Sequence, residues 1–172
     1  MDAKKTLLII MFLGIPLVLR AIRNAAASTW APVVPYPVIR SDSWGDGNFG
    51  SSRGDRAHQG VDIEVYEGET IYSPIPGKIN RIAYPYADDL KWQGVEILGL
   101  GEWTGYSIKM FYMSPDKSLI GKTVDRGAPI GKAQAISKKY SPAMQDHIHV
   151  ELRQGATLLD PTPYLLNAQT PA

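Results

Sequence analysis

His58-Gln59-Gly60-Val61-Asp62-Ile63-Glu64-Val65 reads as a β-strand with two different faces. Successive side chains of a strand point to opposite sides. Val61, Ile63 and Val65 therefore share one face, and His58, Gly60 and Asp62 share the other. Near the C-terminus, His147-Ile148-His149-Val150-Glu151-Leu152 repeats the arrangement, with Ile148, Val150 and Leu152 on one side and His147, His149 and Glu151 on the other. Each strand can bury an aliphatic face while aiming imidazoles and a carboxylate at a common site. Gly60 leaves room above the backbone between His58 and Asp62.

The surrounding sequence has the same texture. Short segments rich in Val, Ile and Tyr (TIYSPI, KINRIAY, GVEILGLG, YSIKMFYMS, GAPIGKAQAI) are separated by Gly, Pro and Asp turn signals about every ten residues. That spacing predicts an all-β fold built on a twisted antiparallel sheet. SDSWGDGNFGSSRGDR, residues 41–56, reads as a long loop or turn series. Helical turns are expected only around Ser141–Asp146 and Pro161–Leu166.

The protein has 172 residues and only three histidines, and all three fall in the two quoted segments. Two imidazoles and a carboxylate make a hard-to-borderline donor set, and three protein ligands with an open position suit catalytic zinc better than a closed structural site. With four candidate donors, one histidine can stay off the metal and act as general base. A lone His-x-His is common on exposed strands. What points to a metal is the concentration of every histidine in two such motifs.

Cysteine is absent, which excludes disulfides, thiolate zinc fingers and a cysteine nucleophile. Residues 1–40 carry five basic residues and one acid, net +4, and the remainder carries 13 basic and 16 acidic residues, net −3. The globular part has no basic stripe, so nucleic acid is not an expected partner. At the N-terminus, Lys4 and Lys5 precede a 14-residue apolar run, Thr6 to Leu19, followed by Arg20, Arg23 and an Ala25-x-Ala27 pattern. Residues 1–27 are therefore expected to be a membrane anchor or a secretory signal, the run being short against the roughly 20 residues of a spanning helix. Residues 28–40 hold three prolines and read as an extended Pro-rich linker. The domain is placed at 41–167, with a tail at 168–172.

Several motifs in order resemble the lysostaphin/LytM-type zinc metallopeptidases, which cleave peptide cross-links of bacterial peptidoglycan. Phe49-Gly50-x-x-Arg53 followed by His58-Gln-Gly-Val-Asp62 is similar to that family's opening loop and first ligand motif. Glu69-Thr70-Ile71-Tyr72-Ser73-Pro74 with Gly77-Lys78-Ile79 is similar to its next hairpin, and Val124-x-x-Gly127-x-x-Ile130-Gly131 to its late turn. His147-x-His149 with Glu151, and then Asp160-Pro161-Thr162-Pro163-Tyr164-Leu165, resemble its closing segments. The resemblance covers about residues 44–166. It implies Zn2+ held by His58, Asp62 and His149, with His147 as base or hydrogen-bond partner of the attacking water. It also implies a peptidoglycan peptide as substrate and a domain facing the cell wall or periplasm, from a membrane anchor, after export or on a phage virion membrane.

One departure matters. The family's strand reading roughly Tyr-x-His-Leu here reads Phe111-Tyr112-Met113-Ser114, which aligns Met113 with the histidine. Methionine cannot donate a hydrogen bond. Loss of one oxyanion donor costs about 100- to 1000-fold in rate, and restoring it through Met113→His is expected to raise hydrolysis. Tyr112 can take the role only if the strand is shifted or bulged, since alternation points it to the opposite face. In this feature and in Tyr140-x-x-x-x-Gln145-x-His147-x-His149 the chain resembles the animal leukocyte cell-derived chemotaxins, which implies zinc binding without peptidase activity. An enzyme and a zinc-retaining binding module are thus both expected readings. Glu151 is a candidate partner that orients His147 or His149, or else a solvated strand carboxylate. Arg53 is a candidate for a substrate carboxylate or a loop brace. Trp44, Trp92 and Trp103 are candidates for groove lining or core.

Overall fold

A computed structural model describes residues 30–169. The expected signal or anchor, residues 1–27, lies outside them. Among the described residues no helix is long and apolar enough to cross a membrane.

The chain forms β1 (Ser41–Asp42), β2 (Gly45–Asp46), β3 (Val61–Glu64), β4 (Thr70–Tyr72), β5 (Gly77–Ala83), β6 (Gly94–Gly99), β7 (Tyr106–Phe111) and β8 (Met113–Pro115). Then follow β9 (Thr123–Val124), β10 (Pro129–Ala133), β11 (His147–Gln154), β12 (Thr157–Leu159) and the helix α1 (Thr162–Leu166). Every strand pair is antiparallel. The main sheet runs β12-β11-β7-β6-β5-β9, with β3 also paired to β11. A second sheet, β4-β10-β8, and the β1-β2 ribbon complete the fold. The all-β expectation holds. Residues 161–166 supply α1, whereas Ser141–Asp146 is a turn and not helix.

β11 is the spine of the site. β3 pairs with its first half, placing His149 opposite Asp62 and His147 opposite Glu64. On its other side β7 places Phe111 opposite His149. The two-faced pattern explains this register. Val61, Ile63, Ile148, Val150 and Leu152 are at most 1% exposed and form the core with Ile97, Ile108 and Met110. Each such side chain contributes about 1.5–3 kcal/mol by leaving water. A one-residue slip would turn all of them outward, and the same register delivers the polar face to a single groove.

Residues 28–40, expected as a linker, are a packed strap from Trp30 onward. Trp30, Ala31, Val33 and Val34 are buried. Trp30 stacks on Tyr164 with ring centroids 5.4 Å apart and meets Trp103 edge-on at 6.1 Å. Ala31 N donates to Pro74 O, Tyr72 N to Val33 O and Glu64 N to Val38 O, and Ile39 bridges Ile63. The prolines do impose extended backbone. Between them, however, Trp and Val side chains cover the core edge, so residues from Trp30 on belong to the packed domain rather than to a linker before Ser41.

β7 and β8 are separated by a single residue, Tyr112, at φ +64°, the only non-glycine with positive φ among the described residues. The chain switches there from the main sheet to the three-stranded sheet. The switch resets the side-chain alternation, so Phe111 and Tyr112 both line the groove and Met113 enters the core.

Candidate metal centre

Three donor atoms converge at the centre of the groove. His58 Nε2 lies 3.0 Å from His149 Nδ1 and 3.1 Å from Asp62 Oδ1, and His149 Nδ1 lies 2.9 Å from that same Oδ1. They form a nearly equilateral triangle. A tetrahedral zinc shell with bonds of about 2.0–2.1 Å has donor–donor edges of about 3.3 Å. The triangle is a few tenths of an ångström smaller, so the residues present fit a zinc ion. Among the described residues this trio is the one group of His and acidic side chains with convergent donors.

The backbone fixes which nitrogen of each histidine is free. His58 Nδ1 donates to Asn48 O at 2.9 Å, leaving Nε2 for a ligand. His149 Nε2 faces Glu151 Oε1 at 3.4 Å, which places its proton there and leaves Nδ1 for a ligand. His147 Nδ1 donates to Gln145 O at 2.8 Å, so its Nε2 is the proton-free nitrogen. That Nε2 sits 3.8 Å from Asp62 Oδ2, beside the triangle rather than in it. Glu151 is buried and turned to His149, not to His147.

The two oxygens of Asp62 have separate duties. Oδ1 joins the triangle. Oδ2 faces Arg53 Nη2 at 3.1 Å and Arg40 Nη2 at 3.5 Å. Burial works against the charge of Asp62, yet the His149 and His58 imidazoles against its oxygens hold its carboxyl well below the usual carboxylate range. Burial lowers the pKa of His147, partly offset by the Asp62 charge, which keeps that imidazole neutral. Burial also opposes the imidazolium of His149, but hydrogen bonds to Asp62 and Glu151 raise its pKa overall. Burial pushes the Tyr112 phenol up to about 12, so it stays protonated.

Gly60 explains its own identity. A Cβ there would lie 2.3 Å from Val150 O and 2.8 Å from Cε1 and Nε2 of His149. The imidazole and the β11 backbone fill the space that a side chain would take. Gly60→Ala is expected to destabilise the fold by about 1–3 kcal/mol and to weaken zinc binding by displacing His149. Urea midpoints and zinc titration check both.

The groove holds about 400 Å³. Trp44, Tyr86, Tyr112 and Tyr140 line it with aromatic rings, and Arg53 and Arg56 also line it. Arg53 also donates to Asp46 O at 2.8 Å, so it braces the loop as well as Asp62. Trp92 and Trp103 are buried away from the groove, and Trp44 alone of those three lines it. Met113, aligned from sequence with a site histidine, is not in the groove. It is 0% exposed and packs over Gly131 in the second sheet. Met113→His is therefore expected to give no gain in hydrolysis and to cost about 1–3 kcal/mol for an imidazole buried without a partner, read as a lowered urea midpoint.

Sequence reasoning missed Arg40 and Asp42. Arg40 is 2% exposed and pairs with Asp42 at 2.9 Å. Asp42 in turn accepts the Gln145 N–H at 2.8 Å, next to the carbonyl that orients His147. Arg40 lay at the end of an apparent linker, and no local pattern marked either residue. Tyr86 was missed too, because it lies in a segment that reads only as a turn.

Comparison with known proteins places this geometry. The family description "Peptidase family M23" matches residues 56–161. Leukocyte cell-derived chemotaxin-2 of Bos taurus is 34% identical over 157 residues, covering 88% of this chain and 97% of the relative. The Mus musculus protein of the same name is 31% identical over 147 residues, covering 83% and 91%. Among solved structures, lysostaphin superposes with a TM-score of 0.57 at 19% identity, over 76% of this chain and 52% of that one. The catalytic domain of the prophage-encoded M23 protein EnpA of Enterococcus faecalis gives 0.53 at 20% identity, over 78% and 96%. These two likenesses establish a shared fold. The matched segment runs from Arg56, just before His58, to Pro161, beyond Glu151, and so holds the whole triangle and His147: the chain belongs to peptidase family M23.

Proposed function

We propose that the protein is a zinc-dependent endopeptidase that hydrolyses peptide cross-links of bacterial peptidoglycan. The observation that carries this reading is the proton-free Nε2 of His147 beside a three-donor triangle. His58 Nε2, Asp62 Oδ1 and His149 Nδ1 would hold the ion. Zinc bound there supplies Lewis acidity that polarises the scissile carbonyl and makes a water acidic enough to attack at neutral pH. His147 takes the proton of the attacking water on Nε2 and returns it to the leaving amine. Arg40 and Arg53 fix the second oxygen of Asp62. The open groove admits an extended peptide. The basic, apolar N-terminal segment supports delivery to the cell-wall side of a membrane, as an exported or anchored protein or on a virion membrane.

A second reading is a zinc-retaining module that binds cell-wall peptide or a protein partner without turnover. It is favoured by the lack of a further histidine, all three being used as described.

The decisive experiment incubates the zinc-loaded full chain with peptidoglycan and counts new amino termini. Release that a chelator abolishes supports the enzyme. Stoichiometric zinc with no release from several cross-link types would leave the binding module. His147→Ala is expected to retain zinc and to lose about 100-fold or more in hydrolysis, as measured on the same substrate.

A further inference from the structure

We propose that the Tyr112 hydroxyl is the hydrogen-bond donor to the oxyanion formed during hydrolysis, aligned by a directed chain of phenols from Tyr140 through Tyr86. The inference rests on the hydrolytic reading above and supplies the donor that reading lacks.

Tyr112 is held where a bulky side chain is rarely found. Left-handed backbone costs a non-glycine residue about 1–2 kcal/mol, and such strain persists only where the surroundings impose it. Here they do. Gln134 N donates to Tyr112 O at 2.8 Å, and Met113 N donates to Gln93 O at 3.0 Å. Gln134 Oε1 further accepts the Gln93 N–H at 3.0 Å, tying the two anchoring segments together. The result is a ring in the groove, edge-on to His147 at 5.3 Å. Unstrained alternation from Phe111 would have turned that ring away.

The hydroxyl is also directed. Tyr86 Oη donates to Tyr112 Oη at 3.2 Å, and Tyr86 Oη lies 2.7 Å from Tyr140 Oη. A phenol has one proton. Tyr86 gives its proton to Tyr112, so in the second bond Tyr140 is the donor. Tyr112 is then an acceptor from Tyr86, and its own proton has no acceptor among the described residues. A phenol that accepts a hydrogen bond is a stronger donor, because successive bonds polarise one another. Lys139 holds the middle ring, with Nζ 4.3 Å over the Tyr86 ring and 2.6 Å from Asp89 Oδ2.

The step balances without another reactant. The water oxygen forms a bond to the carbonyl carbon while its proton passes to His147 Nε2. The carbonyl π pair moves onto oxygen, which accepts the Tyr112 O–H. When that pair returns, the C–N bond breaks and the amine leaves with the proton from His147.

The test compares the zinc-loaded full chain with Tyr112→Phe and Tyr86→Phe by zinc content, kcat and KM, and calorimetric affinity for two probes. One probe is a phosphinic peptide whose tetrahedral centre mimics the intermediate, and the other is the matching amide peptide. Tyr112→Phe keeps the ring and removes only the donor. The expected result is a fall of about 100-fold in kcat and in phosphinic-peptide affinity, with KM, amide-peptide affinity and zinc content unchanged. Tyr86→Phe should lower the same two quantities by a smaller factor. Unchanged phosphinic-peptide affinity, equal weakening of both probes, or loss of zinc in Tyr112→Phe would overturn the proposal. If the wild-type protein cleaves no cross-link, the hydrolytic reading fails by itself. The phosphinic-to-amide affinity ratio, lost or kept in Tyr112→Phe, still decides the role of Tyr112.

Discussion

Asp62→Ala is expected to abolish zinc binding and hydrolysis together and to lower stability by about 3 kcal/mol. The metal effect follows from geometry, since Oδ1 is one corner of the donor triangle and the two imidazoles that remain are below the three protein ligands of a catalytic zinc site. The stability effect follows from charge. Asp62 is the counter-ion of Arg40 and Arg53, and Arg40 is almost fully buried. Asp42 still pairs with Arg40, so the variant removes one of two carboxylates from a buried network, which places the loss at the low end of the range for breaking a buried pair. The loss does not depend on metal, because the arginines remain in either case. Urea unfolding with and without chelator separates the two parts: the variant should be equally unstable in both, while the parent should lose stability on chelation.

A chain beginning at Ser41 is expected not to fold. Deleting the strap removes Trp30, whose truncation alone costs about 3–5 kcal/mol by the usual range for a buried tryptophan. It also removes Val33 and Val34, each about 1.5–3 kcal/mol, and the salt-bridged Arg40. Together these approach the whole stability of a domain, about 5–15 kcal/mol. Circular dichroism and a urea titration of the shortened chain beside one beginning at Ser28 check this. A cooperative transition at an unchanged midpoint in the shortened chain would show that the strap is dispensable. Trp30→Ala in the full chain should move the midpoint in the same direction by less.

The legible parts of this molecule were those written in a two-residue period. The segments at 58–65 and 147–152 show both faces in the sequence, so the core and a common polar site for His58, Asp62, His147 and His149 could be anticipated from alternation, whereas the choice of His147 as the histidine off the metal came only from the family resemblance. The strap was illegible for the opposite reason. Its prolines specify an extended backbone but say nothing about which side chains meet the core. Met113 and Tyr112 were misplaced because strict alternation was carried through a residue at φ +64°. A tyrosine gives no local sign of that conformation, which the two flanking backbone hydrogen bonds impose from outside. Arg40 and Asp42 act only through a hairpin that brings them against Asp62 and Gln145, a tertiary arrangement without a sequence period.

The pairing of β3 with β11 joins ligands 91 positions apart in the chain, His58 and His149. In kinetic terms this is among the most distant closures the sheet must make, and such contacts form slowly because the chain entropy is lost before any contact compensates for it. The hairpins β5-β6 and β6-β7 can zip locally, but the donor triangle does not exist until β11 arrives beside β3. Formation of the site is therefore tied to a late step of folding: the chain holds no donor triangle until β11, the last strand but one, has docked, and an ion bound there would lock that closure in place.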